Sequence, residues 1–341
     1  MQAVISFFTV VFLLFATLGS YGSPLPVLRG LEAKSAEGAK EAVLPLEGGS
    51  DPWFYAHDGV YHYCYSIGEG VAIRHASHPL DLPNGEETIA FRAPRDTMYS
   101  WAYWAPELHF INGMWYLYVA ASDTESEHHR MYVLQSDDVY GTFTMVGKIA
   151  DSTDKWAIDG TVLPFGGELY FVWSGWEDDV DGQQNLYIAH MSDPCHIDSE
   201  RVLLSEPTLS WEKRGMPINE GPQILQKNGA LYIVYAASGS WTDDYCLGML
   251  RFCGGDVLDP DCWAKDPLPV LSKRNGAYGP GHCSFLCSAD GTTDYIVYHA
   301  NVESGTGWNG RTIRVQPFVW VCGFPVFGRP FKPGQRLFVK P

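Results

Sequence analysis

One local pattern recurs five times along this chain and constrains its fold more than any other feature: a turn glycine followed by alternating aromatic and aliphatic residues. The copies are DGVYHYCY (58–65), NGMWYLYV (112–119), GGELYFVW (166–173), NGALYIVY (228–235) and DGTTDYIVY (290–298). Asp-Gly and Asn-Gly pairs are the strongest short hairpin signal, because both central residues of a type I′ turn need positive φ. Each copy therefore reads as the turn and second strand of a hairpin. The turn glycines Gly59, Gly113, Gly167, Gly229 and Gly291 are 54, 54, 62 and 62 residues apart. That is room for four strands per repeat and too long for a solenoid of two short elements. Five four-stranded sheets arranged radially make an all-β, five-bladed β-propeller. No stretch after the N-terminus sustains a helical apolar period for three turns, which supports the same class over its rival, a β-sandwich with coincidental spacing.

A polar residue stands upstream of each turn: Asp51, Glu107, Asp159, Glu220 and His282, lying 8, 6, 8, 9 and 9 residues before the glycine. In a propeller the first strand of each blade lines the central channel, so equivalent strand starts converge on one axial pocket. Acids brought together in a partly desolvated pocket repel, which raises the pKa of at least one and leaves another ionised. Acid/base hydrolysis needs that division of labour. Acids at strand starts also cap backbone amides, and Glu107, in Trp104-Ala105-Pro106-Glu107, is the one that reads most readily as structural. Asp51-Pro52-Trp53, Ile158-Asp159-Gly160 and Asn219-Glu220-Gly221-Pro222 instead set an acid beside residues that shape a tight backbone or an aromatic wall.

Composition narrows the partners. With 23 Lys and Arg against 40 Asp and Glu, the formal net charge is −17. No basic stripe offsets repulsion from phosphates, so nucleic acid and anionic membranes are excluded as expected partners. Charged residues make up 18% and hydrophobic residues 46%, which is the composition of a folded chain and not of a disordered one. Residues 7–18 (FFTVVFLLFATL) are too short for a membrane span and are followed by small residues. They read as the apolar region of a secretory signal peptide occupying 1–22, despite an N-terminal region without Lys or Arg. A polar N-terminal extension (23–48) and the propeller (49–341) follow, and the mature protein is expected to be secreted, extracellular and monomeric. Eight cysteines, Cys64, Cys195, Cys246, Cys253, Cys262, Cys283, Cys287 and Cys322, suggest a few disulfides of undetermined pairing. They lack the CxxC pairs of a zinc finger.

Other chemistries lack their minimal parts. There is no GxSxG elbow, no GxxxxGK[ST] loop and no HExxH. Glu127-His128-His129-Arg130 lies in a polar stretch and reads as a solvated loop. Trp173, Trp176 and Trp241 are candidate sugar platforms, with core packing as the alternative reading for each.

At this point long segments resemble glycoside hydrolase family 43, and within it the branch of exo-acting α-L-arabinofuranosidases placed in subfamily 26. The resemblance runs from about Gly49 to Trp320 on Asp51-Pro52-Trp53, WAPELHFINGMWYLYVAAS (104–122), WAIDGTVL (156–163), INEGPQIL (218–225), YGPGHCSF (278–285) and GRTIRVQPFVW (310–320). It implies a five-bladed propeller and hydrolysis with inversion by three carboxylates. Asp51 matches the general base, Asp159 the acid that tunes the proton donor, and Glu220 the general acid. The two carboxyls of an inverting pair should lie roughly 6.5–9.5 Å apart. His282 matches a channel histidine beside a bound ion, often calcium, or an ordered water. Arg311 matches an arginine contacting the sugar and the middle carboxylate, with Arg314 as an alternative register. Trp104 and Ile158 match pocket walls. No organic cofactor is implied. The NDPNG, RDP and EC pattern of hydrolase family 32 is absent, since Thr97 follows Arg95-Asp96. The implied activity is release of terminal α-L-arabinofuranosyl units from arabinan or arabino-oligosaccharides of plant cell walls. Endo-arabinanase and β-xylosidase are the rivals within the family, and a non-catalytic sugar-binding propeller is the rival outside it.

Overall fold

The computed structural model describes residues 38–341. The expected signal peptide lies outside the described residues. Two short strands come first, β1 (Lys40–Val43) and β2 (Glu47–Gly48). Blade 1 is then β3 (Trp53–His57), β4 (Val60–Ser66), β5 (Gly70–Ala76) and β6 (Glu86–Arg92). Blade 2 is β7 (Trp101–Ile111), β8 (Met114–Ser122), β9 (Arg130–Ser136) and β10 (Thr144–Lys148). Blade 3 is β11 (Ala157–Phe165), β12 (Glu168–Gly175), β13 (Asn185–Asp193), β14 (His196–Ile197) and β15 (Val202–Ser205). Blade 4 is β16 (Asn219–Lys227), β17 (Ala230–Ala237), β18 (Cys246–Phe252) and β19 (Trp263–Lys265). Blade 5 holds β20 (Tyr278–Cys287), β21 (Asp294–Asn301), β22 (Arg311–Val321) and β23 (Phe324–Val326), and the chain reaches β24 (Arg336–Val339).

Each blade is an antiparallel meander, and the first strand of every blade is an edge strand. Those five edges, β3, β7, β11, β16 and β20, each touch the next, and β20 touches β3, so they ring the axis. The five recurring turns are the β3–β4, β7–β8, β11–β12, β16–β17 and β20–β21 hairpins, as the repeat predicts. Four have positive φ at both central residues, for example Asn112 (52°) and Gly113 (84°). The fifth differs. Only Gly291 is left-handed, and Asp290 Oδ1 instead accepts from the Thr292 amide (3.0 Å) and the Ser288 hydroxyl (2.6 Å) in a longer loop.

The hydrophobic core is divided among the blade interfaces. Tyr118, Met131 and Val133 of blade 2 pack on Phe171, Trp173 and Tyr187 of blade 3, and equivalent clusters join every neighbouring pair, including blades 5 and 1. Each sheet is buried on both faces, which is why the repeated strands read as apolar on both parities of their alternation. Trp173 belongs to this core.

Two expectations need correcting. Part of the presumed extension is structural, because β1 pairs with β24 and β2 with β22, joining the segment before Gly49 to the last blade. The expected disulfides are not formed in this structure, where all eight cysteines are unpaired. Cys283 and Cys287 are four residues apart on one strand, a separation of about 13 Å that no disulfide spans; Cys64 and Cys195 sit on blades 1 and 3.

Candidate active site

The inner strands share a backbone irregularity that builds the site. Asp51 (φ 47°), Ala105 (42°), Asp159 (56°), Gly221 (53°) and His282 (35°) all occupy the left-handed region, eight, eight, eight, eight and nine residues before their hairpin glycines. In blades 2 to 5 the strand register shifts at this position. Such a bulge bends the strand and re-aims the local side chain. Asp and Gly tolerate the conformation, whereas Ala and His are strained by about 1 kcal/mol and are held there by the surrounding sheet. Gly221 has a second reason to be glycine: a Cβ there would lie 3.0 Å from His282 Nδ1.

The slot corrects the placement of Glu107. The blade 2 slot holds Ala105, and Glu107 lies two residues further along β7 with only 2% of its surface exposed. Its carboxylate accepts from Gln223 Nε2 and pairs with His109 Nε2 (2.9 Å). All its contacts are internal, as the sequence reading favoured. Glu220 precedes its slot residue by one, which leaves the Gly221 amide free to donate to Asp159 Oδ2 (2.9 Å).

Asp51, Asp159, Glu220 and His282 line one cavity of about 560 Å³, within the usual size of a ligand pocket. His282 Nδ1 lies 3.4 Å from Asp51 Oδ1 and 3.8 Å from Asp159 Oδ2, between the two acids. Arg311 Nη1 approaches Asp51 Oδ1 at 3.5 Å and its Nη2 donates to Ser240 O (3.2 Å). The arginine is therefore paired with the first carboxylate and not the middle one. Arg314 is wholly buried and donates to Phe331 O, away from the cavity that Arg311 lines.

The electrostatics separate the carboxyls. Burial alone would raise Asp51, but His282, Arg311 and His299 outweigh it and hold the group well below the ordinary carboxylate range. Burial lowers both histidines, His299 down to about 4 and His282 below its usual value, with the Asp51 charge opposing in each case, and Arg311 is the permanent cation of the group. Glu220 is pushed up to about 7 by burial, with the Asp51 charge acting the same way and the hydroxyl of Tyr245 (2.7 Å) and Arg311 opposing. Asp159 is raised by burial and then by the charges of Glu220 and Asp51. Two such neighbours cannot both ionise cheaply, so the pocket retains a proton at mildly acidic pH.

The walls are aromatic. Trp104 stacks on His129 (3.7 Å between ring centres, 21° between planes) and Trp156 on Trp176 (4.6 Å, 8°), while Ile158 is buried between them and the acids. His129 corrects the solvated-loop reading of 127–130. It is fully buried, bonded to Ser126 O and Ala102 O, and supports Trp104 from below. Trp241 stands at the mouth.

Sequence reasoning missed three residues. Tyr245 holds Glu220. His299 Nδ1 accepts the Asp51 amide (3.1 Å), which makes it the unprotonated nitrogen and leaves the proton on Nε2. Trp308 shares the mouth with Trp241. Tyr245 ends a loop just before β18 and His299 lies in an ordinary strand context, and neither carries a local mark of its partner; Trp308 sits in the glycine-rich turn SGTGWNG, whose signal is its aromatic residue.

As for the ion expected at His282, no three His, Cys, Asp or Glu among the described residues are arranged to hold a metal. Glu107, the nearest additional acid, already bonds Gln223 and His109. The donor set does not fit a directly ligated cation.

Comparison with known proteins gives the same picture. An extracellular exo-α-(1→5)-L-arabinofuranosidase of Streptomyces avermitilis is 36% identical over 302 residues, spanning 84% of this chain and 62% of that protein. The match thus spans less than two thirds of that relative's length. A like-named enzyme of Streptomyces chartreusis is 33% identical over 261 residues, 74% of this chain and 79% of the relative. The crystal structure of an α-L-arabinofuranosidase from Lactobacillus brevis superposes with a TM-score of 0.81 at 34% identity, covering 86% of this chain and 98% of that one. The model of the glycosyl hydrolases family 43 matches residues 42–325, all five blades included, and the chain belongs to that family.

Proposed function

We propose that the chain is an inverting glycosidase that releases terminal α-L-arabinofuranosyl residues from arabinan and arabino-oligosaccharides of plant cell walls. One observation carries the reading: in a single pocket one carboxyl is held ionised by an arginine while another is held protonated by burial. The names of its relatives point to arabinofuranosides as substrate.

In this mechanism Glu220 donates its proton to the glycosidic oxygen as the bond from the anomeric carbon to that oxygen breaks. Positive charge develops on the sugar ring. Asp51 takes a proton from a water that attacks the opposite face of the anomeric carbon, and the new bond forms with inverted configuration. The cycle leaves Asp51 protonated and Glu220 ionised, and solvent restores both. Asp159 and Glu220 oppose each other's ionisation, so the pair keeps a proton within the pocket, and the Gly221 amide holds Asp159 in position. His299 orients Asp51 through its amide. No organic cofactor takes part, and an ion near His282 would be held through water.

All of these groups come from one chain, so a monomer suffices. Secretion is supported by the apolar run at 7–18 and by the extracellular names of the relatives. The test is time-resolved product analysis on linear α-1,5-arabino-oligosaccharides and on aryl arabinofuranoside and xyloside. Arabinose alone from the first time point, abolished in Glu220→Ala, is expected. Mixed oligosaccharides would make the enzyme an endo-arabinanase, and xylose release would make it a xylosidase.

A further inference from the structure

Two tryptophans at the pocket mouth are built differently from the rest of the aromatic wall. Trp241, in the β17–β18 loop, is 40% exposed, and Trp308, in the turn before β22, is 61% exposed. Their ring centres are 5.8 Å apart with planes at 74°, which makes an open notch of one face and one edge. Large apolar rings left in solvent normally mark a contact surface. These are also fastened. Trp308 Nε1 donates to Ser240 Oγ (3.0 Å), Asp243 accepts from the Gly305 amide (2.9 Å) and from the Ser304 hydroxyl, and a Cβ on Gly239 would fall 2.9 Å from the Trp241 ring. Two loops from different blades are clasped so that the rings are already in place, which lowers the ordering cost of any ligand they meet.

The notch's loop reaches the Asp51 side of the pocket, where the Ser240 carbonyl accepts from Arg311, and the acid as well. The loop that carries Trp241 runs directly into Tyr245, whose hydroxyl holds Glu220. The oxygen that Glu220 protonates belongs to the departing group, so that group must approach over blades 4 and 5. The opposite wall, from blades 2 and 3, is filled by the stacked pairs of Trp104 with His129 and Trp156 with Trp176. We propose that Trp241 and Trp308 form the platform for the leaving sugar, making the enzyme selective for arabinosyl units attached to another sugar over those attached to a small group. The proposal rests on the hydrolytic reading above and adds which part of the substrate is read, and by which residues.

The experiment compares α-1,5-arabinotriose with α-L-arabinofuranosyl fluoride, whose leaving group is too small to reach the notch, in wild type, Trp308→Ala and Trp308→Phe. The ratio of kcat/KM for the triose to that for the fluoride should fall about tenfold in Trp308→Ala, chiefly through KM, as loss of a stacked aromatic contact predicts. Trp308→Phe should recover most of it. In parallel, arabinotriose and xylotriose are titrated into Glu220→Gln protein with and without Trp308→Ala, following intrinsic fluorescence. An unchanged ratio, together with binding indifferent to Trp308, overturns the platform. If wild type hydrolyses neither arabinoside but an oligosaccharide binds in a Trp308-dependent way, the arabinosidase reading fails and the platform stands. Unaltered thermal midpoints confirm that the variants fold.

Discussion

Blades 2 and 3 begin almost identically and end up doing different work. Each enters its inner strand through a left-handed residue eight positions before the hairpin glycine, Ala105 in one and Asp159 in the other. Blade 3 places its carboxylate at that bend, where it faces the cavity. Blade 2 places its carboxylate two residues later, where Glu107 is consumed by Gln223 and His109. A carboxylate at the bend is left with an unmet demand that a substrate can satisfy, while one beyond it ties blades together. Position in the repeat, more than the presence of an acid, separates chemistry from architecture.

That contrast can be broken by removing each of the two carboxylates in turn. Asp159→Asn should lower kcat on arabino-oligosaccharides by about 10²–10⁴-fold with little change in thermal midpoint, as expected when a proton donor loses its tuning group. Glu107→Ala should do the reverse. It leaves Gln223 and His109 buried without their partner, at a cost of about 3 kcal/mol by denaturant titration, while the folded fraction keeps kcat within a few-fold. A large kcat loss in Glu107→Ala without destabilisation would erase the distinction.

The pH dependence of stability sharpens it. Glu220 rises from its ordinary 4.5 to about 7 on folding. A carboxyl raised by folding favours the native state at low pH, and that advantage disappears as pH climbs from about 4.5 through 7. Glu220→Gln should therefore remove a loss on the order of 3 kcal/mol between pH 5 and 8, seen as a smaller drop in thermal midpoint than in wild type. The activity profile should fall on its alkaline side near 7, where Glu220 loses its proton. In Tyr245→Phe, removal of a hydroxyl that favours the charged carboxylate should move this limb upward by less than about one pH unit. The smallest effect belongs to the blade 2 bend itself. Ala105→Gly relieves a left-handed alanine and should stabilise the protein by about 0.5–1 kcal/mol without altering kcat.

The fold was legible because its signal is local and repeated. Turn glycine, strand alternation and spacing all sit within a few residues of one another, and five copies exclude coincidence. Asp51, Asp159, Glu220 and His282 were legible through the same ruler, since counting back from each glycine finds the bend or its neighbour. Glu107 shows where the ruler slips: a two-residue offset keeps a side chain on the same face of a strand but moves it one storey along the channel. Tyr245, His299 and His129 carry no such mark. His299 sits in the even alternation of DYIVYHAN, and only ring closure brings it under Asp51, 248 residues away. Arg311 was found by resemblance, yet its partner was misassigned, because which carboxylate it meets depends on the seam between the first and last blades.

That seam has a consequence for how the protein comes into being. β2 is held against β22, with Leu46 N bonded to Ile313 O and Gly49 N to Arg311 O, and Asp51 follows directly. A ribosome that has translated through Glu220 has already made every carboxylate of the pocket, but Asp51 still lacks His282, His299 and Arg311, its partners from the last blade. The proposed catalytic pocket is thus complete only when the two ends meet, so arabinose release is expected to serve as a readout of completed folding.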